Sequence, residues 1–115
     1  MSEFVLFFRM DILSPEAQPT PEQISVYMDQ WQRWIDDIAA QNKLSEGGNH
    51  LSYSGKVIRS GNSISDKPYV VNNESIAGYI LILAEDEDEA VRIAQGCPIL
   101  LEKGTSVEVR KVAGF

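Results

Sequence analysis

The chain holds 115 residues, of which 43% are hydrophobic and 23% charged, the size and balance of one soluble domain built on a single core. Folding at this length buries roughly 65% of the surface an unfolded chain exposes, so the fold calls for neither disulfides nor a structural metal. Ten bases against seventeen acids leave a formal charge of −7, which repels a phosphate backbone and excludes nucleic acid as an expected partner.

Phe4, Val5, Leu6, Phe7 and Phe8 form an unbroken apolar run of strand length, which predicts a central strand covered on both faces. The run is too short for a signal sequence or a bilayer span, so no membrane association is expected and a cytoplasmic location is. Thr20-Pro21-Glu22-Gln23 supplies an N-cap, a proline at the first helical position and a Gln at the third, predicting a helix that starts at Pro21. Ile24, Tyr27, Met28, Trp31, Trp34, Ile35 and Ile38 recur at spacings of three and four and predict one buried stripe along it, closing near Asn42. Residues 51–53 and 56–59 flank Ser54-Gly55 and predict a hairpin with an exposed edge, following a turn at Gly47-Gly48.

Tyr79, Ile80, Leu81, Ile82, Leu83 and Ala84 make the second apolar run and the second central strand. Asp86-Glu87-Asp88-Glu89 opens another helix, with an Asp N-cap and carboxylates that complement the positive end of the helix dipole. Ala90, Val91, Ile93 and Ala94 form its apolar side, and Gly96 and Pro98 stop it. Val107 and Val109 alternate with Glu108 and Arg110, the pattern of a half-exposed last strand. This order predicts an α+β fold of ferredoxin-like kind, two split βαβ units with both helices on one sheet face. The other face is then bare although the central strands are apolar on both sides, so a homodimer closed over that face is expected.

Several pieces together resemble the YCII-related superfamily over nearly the full length, and within it the branch named for an Asp-Gly-Pro-Phe motif. They are Phe4-Val5-Leu6-Phe7-Phe8-Arg9, Trp31-Gln32-Arg33-Trp34-Ile35, Lys43-Leu44, Gly48-Asn49-His50-Leu51 and Asp66-Lys67-Pro68-Tyr69. The series continues with Ile76-Ala77-Gly78-Tyr79, Asp88-Glu89-Ala90, Gly96-Cys97-Pro98 and Ser106-Val107-Glu108-Val109-Arg110. The resemblance implies a dimeric α+β barrel. It implies no settled reaction: a His/Asp pairing is proposed to be enzymatic in some members, and others are encoded beside alternative sigma factors. Within the motif Lys67 stands where the family has Gly, and Tyr69 where it has Phe.

His50, the only side chain whose ordinary pKa lies near neutrality, is the candidate general base, and Asp66 the candidate carboxylate to orient it. The alternatives are a solvated loop histidine and an Asp that fixes its own turn. Arg9, Tyr53, Arg59 and Tyr69 are candidate ligand-binding residues, against structural ion pairs for the arginines and packing for the rings. One cysteine and one histidine cannot close a zinc site, and Ala90 and Val91 stand where an EF-hand needs an oxygen ligand and a glycine, so no metal is expected. Cys97, beside Pro98 at a helix C-terminus, is expected to be packed and inert. There is no phosphate loop or dinucleotide fingerprint, and no cofactor is expected. Two functions remain: a small-molecule enzyme that moves a proton with His50 and Asp66, and a non-catalytic ligand-binding or regulatory protein. A concave pocket reaching both residues favours the first.

Overall fold

In a computed structural model, described for residues 1–114, the two apolar runs become the longest strands and lie side by side. They are β1 (Ser2–Met10) and β5 (Ser75–Ala84), and the four-stranded antiparallel sheet is completed by β2 (Leu44–His50) and β6 (Ser106–Lys111), in the order β2-β5-β1-β6. Helix α1 (Pro21–Ala40) links β1 to β2, and α2 (Glu87–Gln95) links β5 to β6. Each helix thus joins two parallel strands with a third strand between them, the ferredoxin-like arrangement. The short strands β3 (Val57–Ile58) and β4 (Ile64–Ser65) form a separate hairpin.

Local chemistry sets the helix boundaries. The Thr20 hydroxyl accepts from the Gln23 amide at 3.2 Å while the Gln23 side-chain oxygen accepts from the Thr20 amide at 2.8 Å, a complete capping box. At the other end Asn42 takes a left-handed φ of 59°, and Lys43 N–H returns to Ile38 O at 3.1 Å, closing α1 as expected. Asp86 caps α2 by accepting from Glu89 N–H at 2.8 Å, and the Glu89 carboxylate accepts from the Glu85 amide and pairs with Lys43 at 3.0 Å.

Phe4, Leu6, Phe8, Ile80, Ile82 and Ala84 point to the helix side and are buried with Ile38, Ala90, Ala94 and Cys97. Trp31 and Trp34 extend this core as edge-to-face partners of Phe8, at centroid distances of 4.7 and 6.0 Å. On the opposite face Val5, Phe7, Tyr79, Leu81 and Leu83 remain half-buried. Within one chain, therefore, the central strands are covered on one face only, because both helices cross on the same side.

Three local expectations change. Ile24 and Met28 are exposed, because only the C-terminal half of α1 lies over the sheet and its first turns overhang. Gly47-Gly48 is not a turn but a β-bulge inside β2, where the register slips between Glu46 and Asn49. Gly48 has φ +63°, and a Cβ there would lie 1.7 Å from Tyr79 O, so only glycine lets β2 stay paired to β5. The hairpin turns at residues 60–63 rather than at Ser54-Gly55, because Gly61 and Asn62 supply two consecutive left-handed residues that the earlier dipeptide does not.

Candidate functional site

His50 ends β2 opposite Gly78, and its exposed ring stands edge-on to Trp31 at a centroid distance of 5.9 Å. Asp66 follows β4, and its carboxylate is bonded to Lys56 Nζ at 2.6 Å with 83% of the side chain exposed. The two candidate catalytic groups share no hydrogen bond among the described residues. A turn at Ser54-Gly55 would leave Lys56 without Asp66 as its opposed residue. With the hairpin turning at residues 60–63, Val57 faces Ser65, and Lys56 and Asp66 become the next opposed pair, an ordinary cross-strand charge match.

The candidate ligand-binding residues divide likewise. Arg9 donates to Glu108 at 2.8 Å across β1 and β6, on the face without helices. The Arg9 guanidinium, helped by Arg110, holds the Glu108 carboxyl below its ordinary value. Arg59 lies 5.2 Å from the centroid of the Tyr69 ring, a cation–π contact on the exposed hairpin. Tyr53 directs its hydroxyl at Met10 Sδ, 3.8 Å away. Arg9 therefore sits on the sheet, whereas Arg59 and Tyr69 pair with each other in the segment between β2 and β5. Lys67 is not among the left-handed residues, so the motif segment needs no glycine at that position.

Two depressions among the described residues lie elsewhere. One of about 320 Å³ runs between α1 and α2, with Trp34, Lys43, Glu89 and Arg92 among its walls. The other, about 290 Å³, lies between α2 and β6, against Val91, Leu100, Val107 and Val109. His50 and Asp66 line neither. Cys97 is buried in the core, and burial pushes its thiol up to about 12, which keeps it protonated and unreactive at neutral pH. Among the described residues no group of three or more His, Cys, Asp or Glu is placed to hold a metal, and no helix is long and apolar enough to cross a membrane.

The split βαβ sheet carrying these residues has a counterpart at the level of sequence families. The model of the YCII-related domain matches residues 16–115. The chain belongs to the YCII-related family. That match spans α1, the hairpin with its Asp66 segment, β5, α2 and β6, so it takes in every candidate site residue except Arg9. Among curated proteins none matches the chain.

Proposed function

We propose that this YCII-related chain is a non-catalytic ligand-binding or regulatory protein that works as a homodimer. One observation carries the reading: Asp66 is bonded to Lys56 in open solvent while His50 leans on Trp31, so each half of the expected proton-transfer pair is engaged elsewhere. General acid–base work needs the carboxylate within hydrogen-bond reach of the imidazole, sheltered from competing water. The Asp66-Lys67-Pro68-Tyr69 segment supports membership of the Asp-Gly-Pro-Phe branch. The apolar face of Val5, Phe7, Tyr79, Leu81 and Leu83 supports the dimer, since a second copy removes it from water.

The test incubates the purified protein and a His50→Ala variant with a small-molecule extract of the source cells and follows the mixture by mass spectrometry. Retention of a compound by both proteins, with no conversion over time, is expected. Conversion by the wild type that is lost in the variant would overturn the reading. It would favour the second one, a small-molecule enzyme using His50, which rests on the solvent-exposed ring being held in a fixed orientation against Trp31.

A further inference from the structure

The sheet has two edges, and they are finished differently. At β2 the ladder to β5 slips twice, between Leu44 and Glu46 and between Glu46 and Asn49, the kind of irregularity that blunts an edge. At β6 all six residues pair with β1 without a slip, and no proline interrupts them. One bond shows which backbone groups this second edge leaves open. Val112 N–H donates to Glu3 O at 2.9 Å, and these two residues stand opposite each other, one step beyond Phe4 and Lys111 in the register, so they form a hydrogen-bonded pair. Pairs alternate from there: Arg110, Glu108 and Ser106 turn their N–H and C=O groups toward β1, while Val107, Val109 and Lys111 turn theirs outward. Among the described residues no strand or loop backbone meets those three.

Side chains divide along the same edge. Val107 and Val109 pack on the helix side, where with the exposed Val91 and Leu100 they line the depression between α2 and β6. Glu108 and Arg110 lie on the other side, beside Arg9. Glu108 Oε1 accepts from Arg9 at 2.8 Å, whereas Oε2 has a 3.3 Å contact with Arg110 of its own strand, whose side chain is 68% exposed. Unused backbone groups, a half-used carboxylate oxygen and an apolar depression thus share one strand.

An antiparallel copy of β6 satisfies these backbone groups only in registers that set outward residues against outward residues. Centred between Val107 and Val109, such a pair brings Glu108 onto Glu108; centred between Val109 and Lys111, it brings Arg110 onto Arg110. Registers centred on Val107 or on Lys111 run past the ends of the strand and match no opposite charges. Centred on Val109, each Val107 faces a Lys111 and each Glu108 faces an Arg110, so opposite charges stand at adjacent corners of a square. One register therefore serves both the backbone and the charges.

We infer that β6 is a self-association edge: the β6 strands of two copies pair antiparallel about a twofold axis through Val109, joining their sheets into one with the helices on one side. The contact is isologous, and the apolar depressions of the two copies adjoin across the seam. A second copy is the occupant that fits. Any extended peptide supplies backbone partners, but Glu108 and Arg110 placed symmetrically about Val109 are matched by the same strand reversed. The edge lies outside the face of Val5, Phe7, Tyr79, Leu81 and Leu83, so the inference is independent of the homodimer of the preceding section. It adds a second and weaker step, since only six residues a side are paired.

Sedimentation over a range of protein concentrations tests the edge, and disulfide crosslinking tests its register. Species larger than the face dimer are expected as the concentration rises. Val109→Pro removes an outward N–H that β1 does not use and is expected to weaken this step at least about tenfold, with circular dichroism showing that the fold is kept. Crosslinking needs no proline. Glu108→Cys and Arg110→Cys are purified separately, mixed and oxidised; opposed residues of a pair without hydrogen bonds stand about 4.5 Å apart at Cα, within reach of a disulfide. The mixed pair keeps its other Glu108–Arg110 match, and the buried Cys97 does not compete. A disulfide between the two variants, and far less in either alone, is expected. Crosslinking of Glu108→Cys with itself would overturn the register. A mixture that forms no disulfide, or larger species unchanged in a folded Val109→Pro protein, would overturn the edge contact while leaving the face dimer standing. If the face dimer fails instead, the edge still gives a dimer that Val109→Pro dissociates and Phe7→Glu does not.

Discussion

The His50 imidazole stands edge-on to the Trp31 indole, with centroids 5.9 Å apart, and Trp31 in turn stands edge-on to Phe8 of the central strand at 4.7 Å. A histidine at the end of an edge strand is thereby coupled by ring contacts to the core, and not to the carboxylate of Asp66. Its ring protons lie in the magnetic field of the indole, so Trp31→Leu is expected to move the His50 imidazole resonances. Asp66→Asn is expected to leave them in place. A response to Asp66→Asn comparable with that to Trp31→Leu would show that the two candidate catalytic groups do meet.

Phe7 sits at the centre of the face without helices, opposite Tyr79 on β5 and Glu108 on β6. A charge there is tolerated by an isolated protomer far better than by an interface. Phe7→Glu is expected to give monomeric or poorly soluble protein, read by sedimentation. Dimers of wild-type strength in this variant would remove the sheet face from the interface.

Gly48→Ala combines a left-handed φ with a Cβ inside the van der Waals radius of the Tyr79 carbonyl. Relief requires opening the ladder between β2 and β5, so a loss of about 3 kcal/mol is expected in denaturant unfolding. Gly47→Ala, with nothing within 4 Å of its added Cβ, is the matched control and should cost far less. Equal losses at the two positions would refute the steric account.

Glu108 has a carboxyl held below its ordinary 4.5 by Arg9. A lowered folded value means that its contribution is complete above the unfolded value and is lost as pH falls through the folded one. Glu108→Gln lacks that contribution at every pH. The stability gap between wild type and variant, compared at one protein concentration, should therefore shrink as the pH is taken below 4.5. A gap that stays constant into acid would show that the Arg9 pair contributes nothing.

Cys97, with its thiol pushed up to about 12 by burial, is expected to resist a disulfide reagent at neutral pH in the native protein and to react fully in denaturant. Rapid native reaction would place the thiol at the surface.

The fold was legible in the sequence where the signal was local. The apolar runs at Phe4–Phe8 and Tyr79–Ala84, the capping box at Thr20 and Gln23, the Asn42 terminus and the Asp86 cap each depend on residues within a turn or two of one another, and each formed as read. Together with the family match, they determined a ferredoxin-like sheet with its helices on one side. Tertiary structure decided the rest. Nothing local tells α1 that the sheet ends beneath its second half, so Ile24 and Met28 read as core and are exposed. The Gly47-Gly48 pair has the composition of a turn, and only the approach of Tyr79 from β5 makes it a bulge. His50 and Asp66 both lie in the stretch between the two apolar runs, and sequence order does not say which groups either side chain meets. Their actual partners, Trp31 and Lys56, were chosen by helix packing and strand register, which act between residues that sequence order alone does not bring together.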